Sequence, residues 1–296
     1  TATADDCSTA RACIRGLFRD WSLEGAAERA ASHVPILNAL REEFGSRRDK
    51  GAVRVLIPGY GLGRLVHSIS EIGLSVEGID VSYHTLLACL YMFGGGSHGV
   101  PRPLCPWALS FSNHISRQHQ LRRVAVPDLY LDWPIRVGQQ PSKASAEQHV
   151  VFRRGGFCET YGGSTQAGKF SALVTCYFID TAPNFLEYVN TAWDCLEAGA
   201  IWINIGPLLW NIEENGPAGN GEGDTDGQEM WKARNERLDY TGATLELTAE
   251  EVLGLLRAKG FAIERATDNI GPSTYVGNDL GMLRYIYDMA FWVARK

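Results

Sequence analysis

A doubly wound, mostly parallel α/β sheet is the fold class that this 296-residue sequence predicts, and three features carry the prediction. Short β-rich runs alternate with stretches of helical periodicity. The loop "GYGLG" follows the first such run and opens a helix. An aspartate, Asp80, closes the second run about twenty residues after the first glycine.

Taken in chain order, residues 8–44 read as two helices, with apolar residues at helical spacing through Ala26, Ala30, Val34, Ile36, Leu37, Leu40 and Phe44. "DWS" at 20–22 supplies the break, with Ser22 as N-cap of the second helix. "VRVLI" (53–57) has the composition of a strand buried on both faces. A helix closed by Gly73, a second strand "LSVEGID" and a second helix "SYHTLLACLYMF" follow. Residues 97–167 are weakly patterned and read as an insertion. Alternation resumes with "FSALVTCYFI", "NFLEYVNTAWDCLE" and "AIWINIG". An acidic loop is expected at about 213–230. "TAEEVLGLLRAKG" is a helix with Thr248 and Glu251 in a capping box and Gly260 beyond its end. "FAIERA" and the alternating "LRYIYDMAFWVARK" close the chain as strands, the last pair antiparallel. In the second of these, alternation places Tyr285, Tyr287 and Met289 on one face. The expected organisation is a helical extension over 1–50 and one ligand-binding domain over 51–296.

Composition narrows the function. A formal charge of −6 argues against a nucleic-acid partner, which needs a basic face. No apolar run approaches the roughly twenty residues that span a bilayer, and no secretory signal precedes the first helix. The seven cysteines are scattered, with no C-x-x-C pair, and the seven histidines are not grouped at ligand spacing, so neither a disulfide framework nor a metal site is expected. Trp193, Trp202 and Trp292 are expected to fill the core. A reducing compartment suits this usage: the cytoplasm, with the nucleus left open.

Gly59, Gly61 and Gly63 allow a tight turn and let a ligand approach the main chain, while Asp80 stands where a carboxylate accepts two ribose hydroxyls. The loop therefore suits an adenosine-bearing ligand. A dinucleotide site prefers G-x-G-x-x-G, and Arg64 occupies the third glycine position. The spacing G-x-G-x-G suits S-adenosyl-L-methionine instead.

"FRDWSLEGAAER", "LIPGYGLGRL", "CPWALSFSN", "TCYFIDTAPNFLEYVNTAW", "IWINIGPLLW" and "STYVGNDLGMLRYIYDMAFWVARK" together resemble the carnosine N-methyltransferase family, from about residue 17 to the last. The resemblance implies a class I methyltransferase fold with a seven-stranded sheet, and methyl transfer from S-adenosyl-L-methionine to an imidazole nitrogen of carnosine or a related small molecule. It implies cofactor contacts from Arg19, the glycine loop, Asp80, the Gly156–Phe157 position and Cys176. It implies substrate contacts from Tyr177, Asp180, Asn211, Tyr275, Tyr285 and Tyr287, with Asp180 holding the imidazole. Three positions depart from the family pattern: Asn211 replaces a histidine, Gly156 an aspartate, and Gly16 a glutamine. Asn211 leaves open another imidazole compound or a different acceptor, and the missing acid at Gly156 leaves open a non-catalytic binding module; a homodimer is also left open. Without the resemblance, Asp180 reads first as a cap for the helix that follows it.

Overall fold

The computed structural model describes residues 3–93, 100–129, 136–137, 149–210 and 245–296. Two helices come first. α1 (Ala4–Trp21) ends at Ser22, whose hydroxyl donates to the Phe18 carbonyl at 2.6 Å and accepts the Gly25 N–H at 3.1 Å. Ser22 thus closes α1 and does not start the next helix, correcting the sequence reading. α2 (Ala26–Phe44) begins only after a further short turn, from Gly25, which has no side chain to cap with.

β1 (Arg54–Pro58), α3 (Arg64–Glu71), β2 (Ser75–Asp80) and α4 (Tyr83–Phe93) then form the first crossovers, as expected. The weakly patterned stretch holds a small hairpin, β3 (Arg102–Leu104) and β4 (Val124–Val126), with the short α5 (Arg117–Gln120) between its strands. It also holds β5 (Arg136–Val137) and β6 (Val150–Arg154). β6 falls inside the stretch expected to be an insertion, yet it pairs in parallel with β2 from Val76↔Val150 to Asp80↔Arg154 and buries Val150, Val151 and Phe152. Three apolar residues between a histidine and two arginines are too short a run to announce a central strand.

α6 (Phe157–Tyr161), β7 (Phe170–Cys176), α7 (Phe185–Cys195) and β8 (Leu196–Gly206) continue the alternation. α8 (Ala249–Lys259) has the anticipated capping box and ends at Gly260 with φ +116°. It leads to β9 (Ala262–Thr267). The final stretch is not one strand. β10 (Pro272–Ser273) pairs with β11 (Tyr287–Asp288), and the chain changes partner at buried Met289 before β12 (Ala290–Arg295) enters the main sheet. Tyr285, Tyr287 and Met289 therefore share no continuous strand face.

The main sheet runs β5-β6-β2-β1-β7-β8-β12-β9. Every pairing from β5 to β8 is parallel, and β12 is antiparallel to both of its neighbours. The seven expected strands are present, joined at one edge by the two-residue β5, and the arrangement is the class I methyltransferase fold. Alternation along β1 feeds two cores. Val55 and Ile57 pack with α1–α4, and Leu56 packs with α6–α8. Trp202 and Trp292 are buried as expected, while Trp193 is half-buried under the Lys296 ammonium.

Candidate active site

Strand order reverses between β1 and β7, and an open α/β sheet holds its ligand outside the carboxyl ends of the strands at such a point. β1 delivers the glycine loop there. Gly59, Gly61 and Gly63 all adopt positive φ, at +66°, +56° and +83°. A Cβ on Gly61 would meet only Asp20 Oδ2 at 3.8 Å, so the main chain is open to a ligand on that side. A Cβ on Gly59 would fall 2.5 Å from the Phe178 ring, so glycine lets the turn after β7 close over the loop.

Asp80 ends β2, and its Oδ1 accepts the Ser82 N–H at 2.9 Å. Its charge adds to the upward shift that burial imposes on the Tyr60 phenol. Tyr60 Oη is buried without a hydrogen-bond partner among the described residues. An orphaned donor beside an open glycine turn and a strand-end carboxylate fits a ligand rich in ribose and base acceptors.

α1 seats its last turns on this loop. A Cβ on Gly16 would lie 2.8 Å from Leu62 Cδ1, and Trp21 Nε1 donates to the Leu62 carbonyl at 2.8 Å. Arg64, the residue that spoils a dinucleotide motif, stacks 5.0 Å from the Trp21 ring and pairs with Asp128. Asp128 also pairs with Arg29 of α2, so one buried carboxylate ties α2 to the start of α3.

Arg19, in the last turn of α1, is buried. It donates to Asp20 Oδ1 at 2.8 Å and Ser32 Oγ at 3.2 Å, and its Nε lies 3.4 Å from Glu28 Oε1. Burial alone would disfavour its charge, but Asp20 leads the neighbouring groups that hold it protonated. Its guanidinium lies 4.9 Å from the Tyr275 ring centre and 5.6 Å from that of Tyr177, and those rings are 4.8 Å apart. The Cys176 thiol, pushed up by burial, also touches Arg19 and Ser32. Tyr177 turns the chain at φ +51°, and its hydroxyl meets the Met289 sulfur at 2.9 Å. Burial pushes its phenol up to about 12.

Asp180 lies in a short turn four residues beyond the end of β7, 9% exposed, with Oδ2 accepting the Leu209 N–H at 3.2 Å. It does not cap the following helix. Asn184 does, its Oδ1 accepting the Leu186 N–H at 3.1 Å. Phe157 opens α6, with its ring centre 6.0 Å from that of Phe178 and 5.4 Å from that of Tyr188.

The structure thus brings Arg19, Cys176, Tyr177 and Tyr275 into contact at the strand tips, with the glycine loop, Asp80, Phe157 and Asp180 along the same edge. Gly156 has no side chain to contribute. Tyr285 stands apart at 62% exposure. Tyr287 is half-buried in β11, across from Ser273. Asn211 lies outside the described residues.

One residue that no spacing pointed to organises the far wall. Glu28, in the first turn of α2, accepts the Thr274 hydroxyl at 2.5 Å and the N–H groups of Val276 and Gly277 at 2.6 and 2.8 Å. It holds the segment carrying Tyr275, in which the β-branched Val276 sits at φ +56°.

The family model for carnosine N-methyltransferase matches residues 1–296. The carnosine N-methyltransferase of Schizosaccharomyces pombe is 32% identical over 283 residues, which cover 95% of this chain and 69% of that protein. The Rattus norvegicus carnosine N-methyltransferase is 30% identical over 296 residues, covering 100% of this chain and 64% of that protein. For the Drosophila melanogaster relative of the same name, identity is 29% over 288 residues, covering 97% and 55%. The chain therefore spans roughly half to two-thirds of the length of these curated relatives. A match over its whole length places this chain in the carnosine N-methyltransferase family.

Proposed function

We propose that the protein is a methyltransferase that uses S-adenosyl-L-methionine to methylate an imidazole nitrogen of carnosine or a related histidine-containing small molecule. The observation that carries this reading is the placement of Asp180. It is a mostly buried carboxylate at the carboxyl edge of the sheet, on the same rim as the glycine loop, Asp80 and the Arg19–Tyr177–Tyr275 cluster. The cofactor, when bound, supplies a methyl group already activated on a sulfonium.

The chain's own groups then position and protect. The open face at Gly61 and the Asp80 carboxylate hold the adenosine part, and Arg19 offers a firmly cationic group for a carboxylate. A neutral imidazole has one N–H and one lone-pair nitrogen. Asp180 accepts the N–H, which fixes the tautomer, directs the other nitrogen toward the donor and stabilises the ring cation formed on alkylation. The half-buried Tyr177 and the more exposed Tyr275 supply aromatic faces for this ring to lie against. Asp80, Arg19, Cys176, Tyr177, Tyr275 and Asp180 are the working set; Tyr275 is 49% exposed and belongs to it through its contacts with Arg19 and Tyr177, which Tyr285 does not share.

The test offers methyl-labelled S-adenosyl-L-methionine with carnosine and other histidine compounds to the wild type and to Asp180→Asn. Label should appear on the imidazole. The variant should lose about 10²–10³-fold in turnover, the size of a lost transition-state contact, while still binding S-adenosylhomocysteine. Binding of S-adenosylhomocysteine with no labelled imidazole from any histidine compound would refute the assigned acceptor.

A further inference from the structure

We infer that Glu159 is the acid that accepts the exocyclic amine of the cofactor's adenine, doing so from one helical turn beyond Gly156. The inference rests on the cofactor assignment in the preceding subsection and names the group that reads its base.

The placement follows from the sheet. β6 is the neighbour of β2, with Asp80 opposite Arg154 in register, and the Gly155 N–H donates to the Asp80 carbonyl at 2.9 Å. A ribose held on the Asp80 carboxylate therefore sets its base over the segment that starts at Gly155. That segment leads into an apolar aromatic wall. Phe157 is 5% exposed and Phe178 is 8% exposed, and Phe178 stacks on Tyr188 with ring centres 5.0 Å apart and planes 12° from parallel. Such a wall suits the flat face of a purine. It offers nothing to the amine on the purine's edge.

Gly156 cannot fill that gap, but its neighbour occupies the space a side chain there would take. A Cβ on Gly156 would stand 3.1 Å from both Cδ and Oε2 of Glu159. The Glu159 side chain is exposed, and its carboxylate is folded back over Gly156 at the start of α6, where a ligand can displace its water. It closes no capping box with Gly156, and it makes no hydrogen bond or ion pair with any described residue. A carboxylate that leans over the base position without a partner is an acceptor for an N–H donor. It would also select against a base that presents an oxygen at the same edge, since two acceptors cannot satisfy each other.

The test is calorimetry with S-adenosylhomocysteine and with S-inosylhomocysteine, in which a carbonyl oxygen replaces the amine. Wild-type protein should prefer the adenosyl compound by roughly 10- to 100-fold, the range expected for a hydrogen bond to a charged acceptor. Glu159→Ala should remove most of this preference by weakening only the adenosyl compound, and Glu159→Gln should bring the two affinities together because an amide can also donate. Gly156→Asp added to Glu159→Ala should restore the preference. Position 156 has an ordinary φ of −75°, and the shortened residue 159 clears its space. Wild-type affinity and preference in all the Glu159 variants would overturn the inference while leaving the cofactor assignment intact. Failure of the wild type to bind S-adenosylhomocysteine would overturn both.

Discussion

Glu28→Gln should loosen the wall of the site that carries Tyr275, and the size of the effect can be worked from its contacts. Both carboxylate oxygens of Glu28 are occupied. Oε1 accepts the Val276 N–H, Oε2 accepts the Gly277 N–H and the Thr274 hydroxyl, and the Arg19 Nε stands 3.4 Å from Oε1. An amide of the same shape keeps one acceptor and turns an NH₂ toward donors at the other. At least one hydrogen bond to a charged acceptor is lost, about 1.5–3 kcal/mol, and a donor is left facing a donor. The same contacts hold Val276 at φ +56°, a strain of order 1–3 kcal/mol that the segment sheds on letting go. The expected result is a loss of about 2–3 kcal/mol in urea unfolding and a raised KM for the methyl acceptor, because Tyr275 is no longer held against Arg19 and Tyr177. Val276→Gly in the wild type exchanges this strain for lost packing against the core and a more flexible unfolded chain, so it should change stability by less than about 1 kcal/mol. Unchanged stability together with unchanged KM in Glu28→Gln would refute this reasoning.

Other consequences can be checked alongside. Asp128→Ala leaves Arg29 and Arg64 without their shared carboxylate in a mostly buried place, so it should cost about 3–5 kcal/mol in urea unfolding and weaken S-adenosylhomocysteine binding through the helix that opens at Arg64. The His33 imidazole is held well below its usual pKa, first by burial and then by Arg19, Arg29 and Arg64. Below about pH 6.5 the unfolded chain therefore takes up a proton that the folded chain refuses. From His33 alone, stability should be flat above that pH and fall below it by up to about 1.4 kcal/mol per pH unit. His67 is shifted the same way, again chiefly by burial, so His33→Gln should reduce the slope without abolishing it. An acid limb unchanged by that substitution would show that His33 is not its source.

The legible parts of the fold were those specified by nearby residues. Strand and helix periods, the Thr248–Glu251 capping box, the glycine turns at 59–63 and the position of Asp80 all depend on contacts within a few residues, and each stands where its spacing placed it. Parts that depend on distant partners were not legible. β6 is a core strand because β2 lies beside it, and its own three apolar residues carry no such signal. The last stretch alternates like a single strand, but its partner changes from β10 to β8 and β9 at Met289. Ser22 belongs to α1 and not to α2 because a serine at such a break can cap either side, and the three-residue turn that follows decides between them.

The site divides in the same way. Arg19, Cys176, Tyr177 and Tyr275 were named through resemblance and come together in space. Glu28 left no trace in the sequence, since its partners lie nearly 250 residues further along. Two of the departures from the family pattern find physical counterparts. The empty volume at Gly16 is taken by Leu62, and that at Gly156 by Glu159.

The most direct test is a crystal structure with S-adenosylhomocysteine and carnosine bound together. The sulfur should lie beside the Cys176–Tyr177 turn, with the Asp180 carboxylate accepting one imidazole nitrogen's N–H and the other nitrogen facing the sulfur. An imidazole that sits beyond hydrogen-bonding reach of Asp180, or whose two nitrogens both point away from the sulfur, would contradict the proposed chemistry.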